Sequence, residues 1–336
     1  MKIFVYEFFS GGGLAGRPLP PSLAGEGDMM ARALVRDLAE LSDVDLRMSR
    51  DPRLPVLPGV ETIVPAPGED AFALYARGVA AADAAWPVAP ETDRLLERLA
   101  QATLDAGRVL LGCRPDAVRL TTSKRATAER LRQAGVAVVP TFISSDEVPP
   151  LPGRWVVKPD DGAGCEDTVV LPDWRSALAR LAEAPARLVA QPWIEGPALS
   201  LSLLCADGFA RLLCCNRQRV RCAGGRLALE GIAVNAVPDP DRRLAALARR
   251  IAAAIPDLWG YVGVDFVATP GGPVVLEVNP RLTTSYCGLR SALQVNAGDL
   301  VLGLLQPDRR DDDWRSPAPA VAELVLGDPA WAVTQS

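Results

Sequence analysis

The 336-residue chain contains no histidine, and that absence removes three classes of chemistry at once. A Ser-His-Asp triad, a His-ligated zinc and imidazole acid–base catalysis all need a residue that is missing here. Any reaction must rest on carboxylates, Lys, Arg, Asn, Ser, Cys and the backbone. Cysteine is present but unorganised. The seven, at positions 113, 165, 205, 214, 215, 222 and 287, are odd in number and form no C-x-x-C pair. They support neither a disulfide framework nor a zinc ribbon and read as reduced packing residues of a cytoplasmic protein. No stretch approaches the ~18 uncharged apolar residues of a membrane span. The apolar run at 3–6 stops at Glu7 and is too short for a signal peptide. A basic excess is also lacking: Lys plus Arg is 36 against 41 Asp plus Glu, a net charge of −5, which argues against a nucleic-acid partner. What remains is an ordinary globular balance, 49% hydrophobic and 23% charged, at a length suited to two domains or one fold with lobes.

Residues 3–9 form the expected first strand. It runs into Ser10-Gly11-Gly12-Gly13 and a Pro/Gly-rich loop to Gly27, with a helix expected only near Met29. The glycines do not follow G-x-G-x-x-G, so a dinucleotide fingerprint is weak. Helical spacing at Met30, Leu34, Leu38 and Leu41 leads to a short strand at 44–48, a helix at 71–82 and a strand at 85–88. Thr92 is a fair N-cap for a helix carrying Leu95, Leu96, Leu99 and Leu104 on one face, before a strand at 110–111. This alternation predicts an open, mostly parallel α/β domain over 1–117.

The texture then changes. Ser123 caps a helix with Lys124 in its first turn. Strands are expected at 136–142, 155–159, 169–171, 188–194, 199–205 and 210–218, the last two antiparallel around Asp207-Gly208. Helices are expected at 176–183 and 241–255. The charge run Arg309-Arg310-Asp311-Asp312-Asp313 reads as a solvated connector before a last strand at 321–326. The expected division is an α/β domain at 1–117, a small α+β lobe at 118–187 and a large lobe with a C-terminal strand at 188–336.

The strongest chemical signal is a late hairpin. Segments 261–267 and 274–279 both alternate with period two around a Gly/Pro-rich stretch at 268–273. With its tip at Gly271, position 267 faces 275 and Asp265 faces Glu277, with Asn279 two residues further along the same face. Like charges directly opposite in a sheet cost up to ~1 kcal/mol when exposed and far more when buried. A hard divalent cation removes the conflict, because two carboxylates, an amide oxygen and nucleotide phosphates are the oxygen set Mg²⁺ prefers. The alternative is two solvated acids in another register.

Two further segments carry weaker signals. Lys158 ends a strand before Asp160-Asp161-Gly162-Ala163-Gly164. It is a fixed charge beside a small-residue loop whose N–H groups can approach phosphate, although the segment does not match G-x-x-x-x-G-K-[ST] and also reads as a plain turn. Gln191-Pro192-Trp193-Ile194-Glu195-Gly196 is a strand end breaking into a turn. It either presents backbone groups and an apolar wall to an adenine edge or serves as a hinge without a ligand.

Taken together, Lys124, Val157-Lys158-Pro159, the glycine loop, the 191–196 turn, Val264-Asp265-Phe266 and Leu276-Glu277-Val278-Asn279-Pro280-Arg281 resemble the ATP-grasp superfamily across 120–305. The resemblance implies an ATP-grasp fold, α/β and α+β, with a Rossmann-like pre-ATP-grasp domain in front. It implies ATP clasped between lobes, with Lys124, Lys158, Gly162 and Gly164 at the phosphates and Gln191, Trp193 and Ile194 at adenine. It also implies Mg²⁺ (or Mn²⁺) on Asp265, Glu277 and Asn279, and Arg281 at transferred phosphate or a substrate carboxylate. One departure is Ala198, where many members carry a ribose-binding Glu; Ser200 is the nearby hydroxyl.

A narrower resemblance, to the tyramine–glutamate ligases of methanofuran and methylofuran biosynthesis, covers nearly the whole chain. It rests on Glu7-Phe8-Phe9-Ser10-Gly11-Gly12-Gly13, Ala89-Pro90-Glu91, Cys215-Asn216-Arg217-Gln218 and above all Asn279-Pro280-Arg281-Leu282-Thr283-Thr284-Ser285-Tyr286. The implied reaction activates a carboxylate as an acylphosphate and displaces phosphate with an amine, catalysed by Lys158, Arg281 and Arg217. Arg217 and Arg281 are candidates for carboxylate contact, Glu7 or Glu91 for an ammonium, and Tyr286 with residues 10–13 for the amine pocket. The partners expected are an amino acid and an amine in the cytoplasm, with a homodimer as the candidate assembly. Competing readings are a ligase for another pair, such as γ-glutamyl chain extension, and a nucleotide-binding protein without chemistry.

Overall fold

The computed structural model describes residues 1–148, 151–162, 164, 167–306 and 319–326, so the charge run at 309–313 lies outside the described residues. The first sheet is built from β1 (Lys2–Glu7), β2 (Asp45–Ser49), β3 (Glu61–Ile63), β4 (Ala84–Val88) and β5 (Val109–Leu110). Its order is β3-β2-β1-β4-β5, all parallel. β1 lies centrally, and its alternate residues feed two cores, as a strand covered on both faces must. Ile3 and Val5 pack with Leu34 and Leu38 of α1 (Pro21–Ala39). Phe4 and Tyr6 pack with Leu74 and Tyr75 of α2 (Ala71–Ala80) and Leu99 of α3 (Leu95–Asp105).

Two helix starts differ from expectation. α1 begins at Pro21, well before Met29, because proline at the first helical position lacks only an N–H that would be unpaired anyway. Thr92 does not cap α3. It lies in a single 3₁₀ turn, and Arg94, left-handed at φ 58, occupies the cap position.

The strand order reverses direction between β1 and β4, and a crevice at the carboxyl ends of such strands is the place where open α/β sheets bind ligands. Glu7 ends β1, and Glu91 follows β4. After α4 (Pro115–Thr122) and α5 (Lys124–Gln133) the chain enters a second sheet. Its strands are β6 (Trp155–Pro159), β7 (Val169–Leu171), β8 (Leu188–Pro192), β9 (Ala198–Ala206), β10 (Phe209–Ala223), β11 (Arg226–Val237), β12 (Gly260–Thr269), β13 (Gly272–Asn279) and β14 (Ala322–Val325). The order is β13-β12-β9-β10-β11-β7-β6-β8, with β14 on β11.

The expected strand at 136–142 is reduced to two isolated bridges, Val138 to Val275 and Phe142 to Ala190. Pro140 within it cannot donate to a ladder. β8 pairs with β6 and shares a small core with Trp155, Val157 and Leu181 of α6 (Trp174–Glu183), so the small lobe extends past residue 187. Among the described residues β11 meets β7 at the single ladder pair Arg226–Val169, beside which the Val170 N–H donates to the Gly225 carbonyl at 2.7 Å. α7 (Arg243–Ala254) covers one face of β9 and β10, while α8 (Tyr286–Leu293) and α9 (Ala297–Gly303) bind the large lobe to α1. Among the described residues no helix is long and apolar enough to cross a membrane.

Candidate active site

β12 and β13 bring Asp265 opposite Glu277, as expected, but by a different route. The turn is tighter than a Gly271 tip implies: Thr269 pairs with Gly272, Val267 with Val274 and Phe266 with Val275. A bulge at Leu276 then shifts the register by one residue, so Asp265 meets Glu277 and Gly263 meets Asn279. The correction matters for the flanking residues. Val275 does not join the acids; it is buried in the core with Phe266, and Leu276 lines the cleft in its place.

Asp265 is held by two amides. Gln218 Nε2 donates to Oδ1 at 2.8 Å and Asn279 Nδ2 to Oδ2 at 2.9 Å. Burial and the facing Glu277 carboxylate push the Asp265 carboxyl well above the usual range. Burial opposes ionisation of Glu277 as well, but Lys124 and Lys158 outweigh it and hold this carboxyl well below its ordinary value. The two Nζ atoms stand 3.6 and 3.8 Å from Glu277 Oε2. They belong to two of the three lysines in the chain.

Local structure fixes both lysines. Ser123 Oγ accepts the N–H of Ala126 as the cap of α5, and Lys124 Nζ donates to the carbonyls of Gly162 at 2.6 Å and Asp160 at 3.2 Å. Lys158 is carried on β6, one strand from Gln191. Arg281, just after β13, reaches across to the first domain. Its Nε lies 3.0 Å from Glu91 Oε1, and its Nη2 donates to Oε2 at 3.1 Å. Burial works against the guanidinium charge, but Glu91 more than restores it.

These groups line one cleft of about 1660 Å³ between the two sheets. Of the residues expected at phosphate, adenine, metal and transferred phosphate or carboxylate, all but Arg217 border it, including Gly162, Gly164 and Ile194. Gln191 is buried and donates to Thr141 Oγ1 at 2.9 Å, and the Arg154 guanidinium lies over the Trp193 ring, 4.4 Å from its centroid. Gly196 closes this wall. Its φ is +151°, and a Cβ there would overlap the carbonyl oxygen of Ala268.

Arg217 is exposed and outside the cleft, because neighbouring positions on a strand point to opposite faces and Gln218 takes the inward one. Tyr286 also lies elsewhere. It is fully buried, with its hydroxyl donating to Asp37 Oδ2 at 3.0 Å. Glu91 is occupied by Arg281, which removes it as an ammonium site. Gln218, Glu26 and Thr284 were not expected at the site. Ser200 borders the cleft near Ala198 and accepts a hydrogen bond from Asn216 Nδ2 at 3.1 Å.

The donor set suits a hard cation that brings some of its own oxygens. Among the described residues no group of three or more His, Cys, Asp or Glu could cage a metal. Two carboxylates and an amide leave positions that nucleotide phosphates would fill.

Residues 121–285 match the ATP-grasp domain family, and residues 44–118 match the pre-ATP-grasp domain family. The chain belongs to the ATP-grasp superfamily. It is 27% identical over 209 residues to the tyramine–L-glutamate ligase of Methanocaldococcus jannaschii, a match spanning 62% of this chain and 59% of that relative. Among solved structures it is similar to an ATP-grasp superfamily protein from Archaeoglobus fulgidus, with a TM-score of 0.71, 24% identity, and coverage of 90% of this chain and 88% of that one. An L-amino acid ligase from Bacillus licheniformis (TM-score 0.66, 18% identity, 96% and 78% coverage) and a D-alanine–D-alanine ligase from Bacillus anthracis complexed with ATP (0.61, 14%, 94% and 100%) share the fold.

Proposed function

We propose that this chain is an ATP-dependent, ADP-forming carboxylate–amine ligase, and that it joins the γ-carboxylate of glutamate to tyramine. The observation that carries the ligase reading is Glu277, facing Asp265 across one ladder and lying within 4 Å of both cleft lysines. In this reading the lysines leave Glu277 for the phosphates, and Gln191, Trp193 and Ile194 border adenine. Asp265, Glu277 and Asn279 would hold Mg²⁺, with Mn²⁺ suited to the same donors. The ion supplies charge neutralisation on the phosphate oxygens.

A carboxylate oxygen of the acid attacks the γ-phosphorus, the bond to the ADP oxygen breaks, and an acylphosphate forms. The amine nitrogen then bonds to the acyl carbon as phosphate departs, with Lys158 and Arg281 stabilising the charge that develops. Such transfer depends on positioning and electrostatics, so a chain without histidine can perform it. The substrate pair rests on the likeness to the tyramine–L-glutamate ligase and on the run from Pro280 to Tyr286. A coupled assay for ADP release with glutamate and a panel of amines tests both levels. Release is expected to require glutamate and tyramine together. Turnover with a γ-glutamyl acceptor but not tyramine would retain the ligase and remove the pair. No release with any pair would leave a nucleotide-binding protein.

A further inference from the structure

The acids that line the cleft, and Glu91 just behind it, differ in what already occupies them. Glu69 is paired with Arg77 at 2.7 Å, Glu91 with Arg281, and Glu277 with the two lysines. Asp70 caps α2 through the N–H groups of Phe72 and Ala73, Asp265 accepts from two amides, and Asp93 is exposed to solvent. The buried Glu7 accepts the N–H of Ser10 at 2.6 Å and of Phe9 at 3.3 Å.

Glu26 is different. Among the described residues its one hydrogen bond comes from Thr284 Oγ1 at 3.3 Å, and it makes no ion pair. Burial holds its carboxyl above the usual value, while Thr284 and the field of Arg281 act in the opposite direction. The Arg281 fork itself is committed to Glu91. A half-buried carboxylate with spare lone pairs and no counter-ion is a costly arrangement that a ligand cation relieves.

Its setting narrows the ligand. Leu23, Glu26, Gly27 and Met30 recur at helical spacing, so one stripe of α1 faces the cleft with the carboxylate flanked by apolar side chains. Gly27 lets the Glu7 carboxylate lie against that stripe, where a Cβ would overlap it. Phe8, next in sequence to the Glu7 that touches this stripe, and Leu14 also line the cleft.

We infer that Glu26 anchors the ammonium group of the amine substrate, and that this substrate is a primary amine with an apolar or aromatic body lying against Leu23, Met30 and Phe8. The inference rests on the ligase reading above. It places the amine near Arg281, outside the Asp265–Glu277–Asn279 group, while the acid is activated at the lysines. The bound ammonium passes one proton to the Glu26 carboxylate, the freed amine nitrogen bonds to the acyl carbon, and the second proton leaves with the departing phosphate.

The test compares two nucleophiles with ATP, Mg²⁺ and glutamate. Tyramine is cationic near neutral pH, whereas hydroxylamine is largely uncharged, needs no anionic anchor, and traps an acylphosphate as a hydroxamate. In Glu26→Gln the KM for tyramine is expected to rise at least tenfold. The rate of hydroxamate formation and the KM for glutamate should stay within twofold of wild type, and Glu26→Asp should recover part of the tyramine effect. An unchanged KM for tyramine would overturn the inference, as would equal loss with both nucleophiles or a rise confined to the KM for glutamate. A wild-type protein that forms no hydroxamate would overturn the ligase reading, and this inference with it.

Discussion

Replacing Glu277 with glutamine tests the charge arrangement most directly, because the change preserves shape and removes one negative charge. With Lys124 and Lys158 at 3.6 and 3.8 Å, each attraction amounts to ~4–5 kcal/mol at an effective dielectric of about 20. Part of this is offset by the repulsion from Asp265, which the substitution also removes. Losing one member of a buried charge cluster costs roughly 3–5 kcal/mol of stability, a loss a large two-sheet protein can bear and still fold. Two opposite functional effects are expected. Without the carboxylate the lysines present uncompensated positive charge to phosphate, so ADP in the presence of EDTA should bind more tightly than to wild type. With Mg²⁺ present, turnover should fall by on the order of 10²–10³ or more, the scale of removing one group that stabilises developing charge. Calorimetric titration of ADP with and without Mg²⁺, beside the coupled ADP-release assay, reads both effects on one preparation. Mg²⁺-dependent turnover within tenfold of wild type would falsify the site assignment. Weaker metal-free ADP binding would show that the lysines do not face the phosphates.

Three other outcomes are expected. Burial raises Glu7 from 4.5 to about 7, so the folded state binds the extra proton and stability falls as pH rises from about 4.5 through 7. Glu7→Gln should therefore gain on wild type by up to about 3 kcal/mol between pH 5 and pH 8, and a difference in urea unfolding that is the same at both pH values refutes this. Arg217→Ala, at an exposed position away from the cleft, should change stability by less than about 0.5 kcal/mol and leave kcat/KM within twofold; a tenfold fall would return Arg217 to the site. Gly196→Ala forces a Cβ into the Ala268 carbonyl at a left-handed φ and should cost roughly 2–4 kcal/mol in denaturant unfolding, whereas a cost near zero would mean that the turn relaxes freely.

The fold and the acidic pair were legible because both depend on local rules. Alternation of strand and helix marks the first domain, and period two places Asp265 and Glu277 on a common face. The expected pairing holds although the turn is tighter than a Gly271 tip implies, since the bulge at Leu276 cancels the shorter loop at Glu277 and not at Val275. A bulge has no sequence signal strong enough to override alternation. β11 is absent from the expected strands because Arg226-Leu227-Ala228-Leu229-Glu230, although its exposed and half-buried positions alternate, is made of residues that favour helices; its pairing with β10 supplies the order. The choice between Arg217 and Gln218 could not be read either. Both are polar and adjacent, and the face each takes depends on a register set by β9 and β11. Glu26 was hidden because it falls in a Pro/Gly-rich segment that reads as loop, while Pro21 in fact starts a helix there.

The run from Pro280 to Tyr286, the most distinctive sequence in the chain, gains a physical account from its contacts. Arg281 pairs with Glu91 after β4, Thr284 donates to Glu26, and Tyr286 donates to Asp37, so three of its residues fasten three points of the first domain. Between them, Thr283 and Ser285 turn the other way, and each lies 3.0 Å from the Tyr261 hydroxyl, which is itself 3.0 Å from Ser202 Oγ. Buried hydroxyls of this kind hold their positions only while every member is satisfied. The segment immediately follows Asn279, so the clamp that fixes the first domain begins two residues from the end of the acidic face. Any displacement of the first domain relative to β13 must therefore move Arg281 or break its buried pair with Glu91. The domain that supplies the Glu26 end of the cleft is thus mechanically tied to the strand that supplies Glu277. Amine binding at one end and phosphate chemistry at the other are expected to respond together to substitutions at Thr284 or Glu91, even where neither residue touches a substrate.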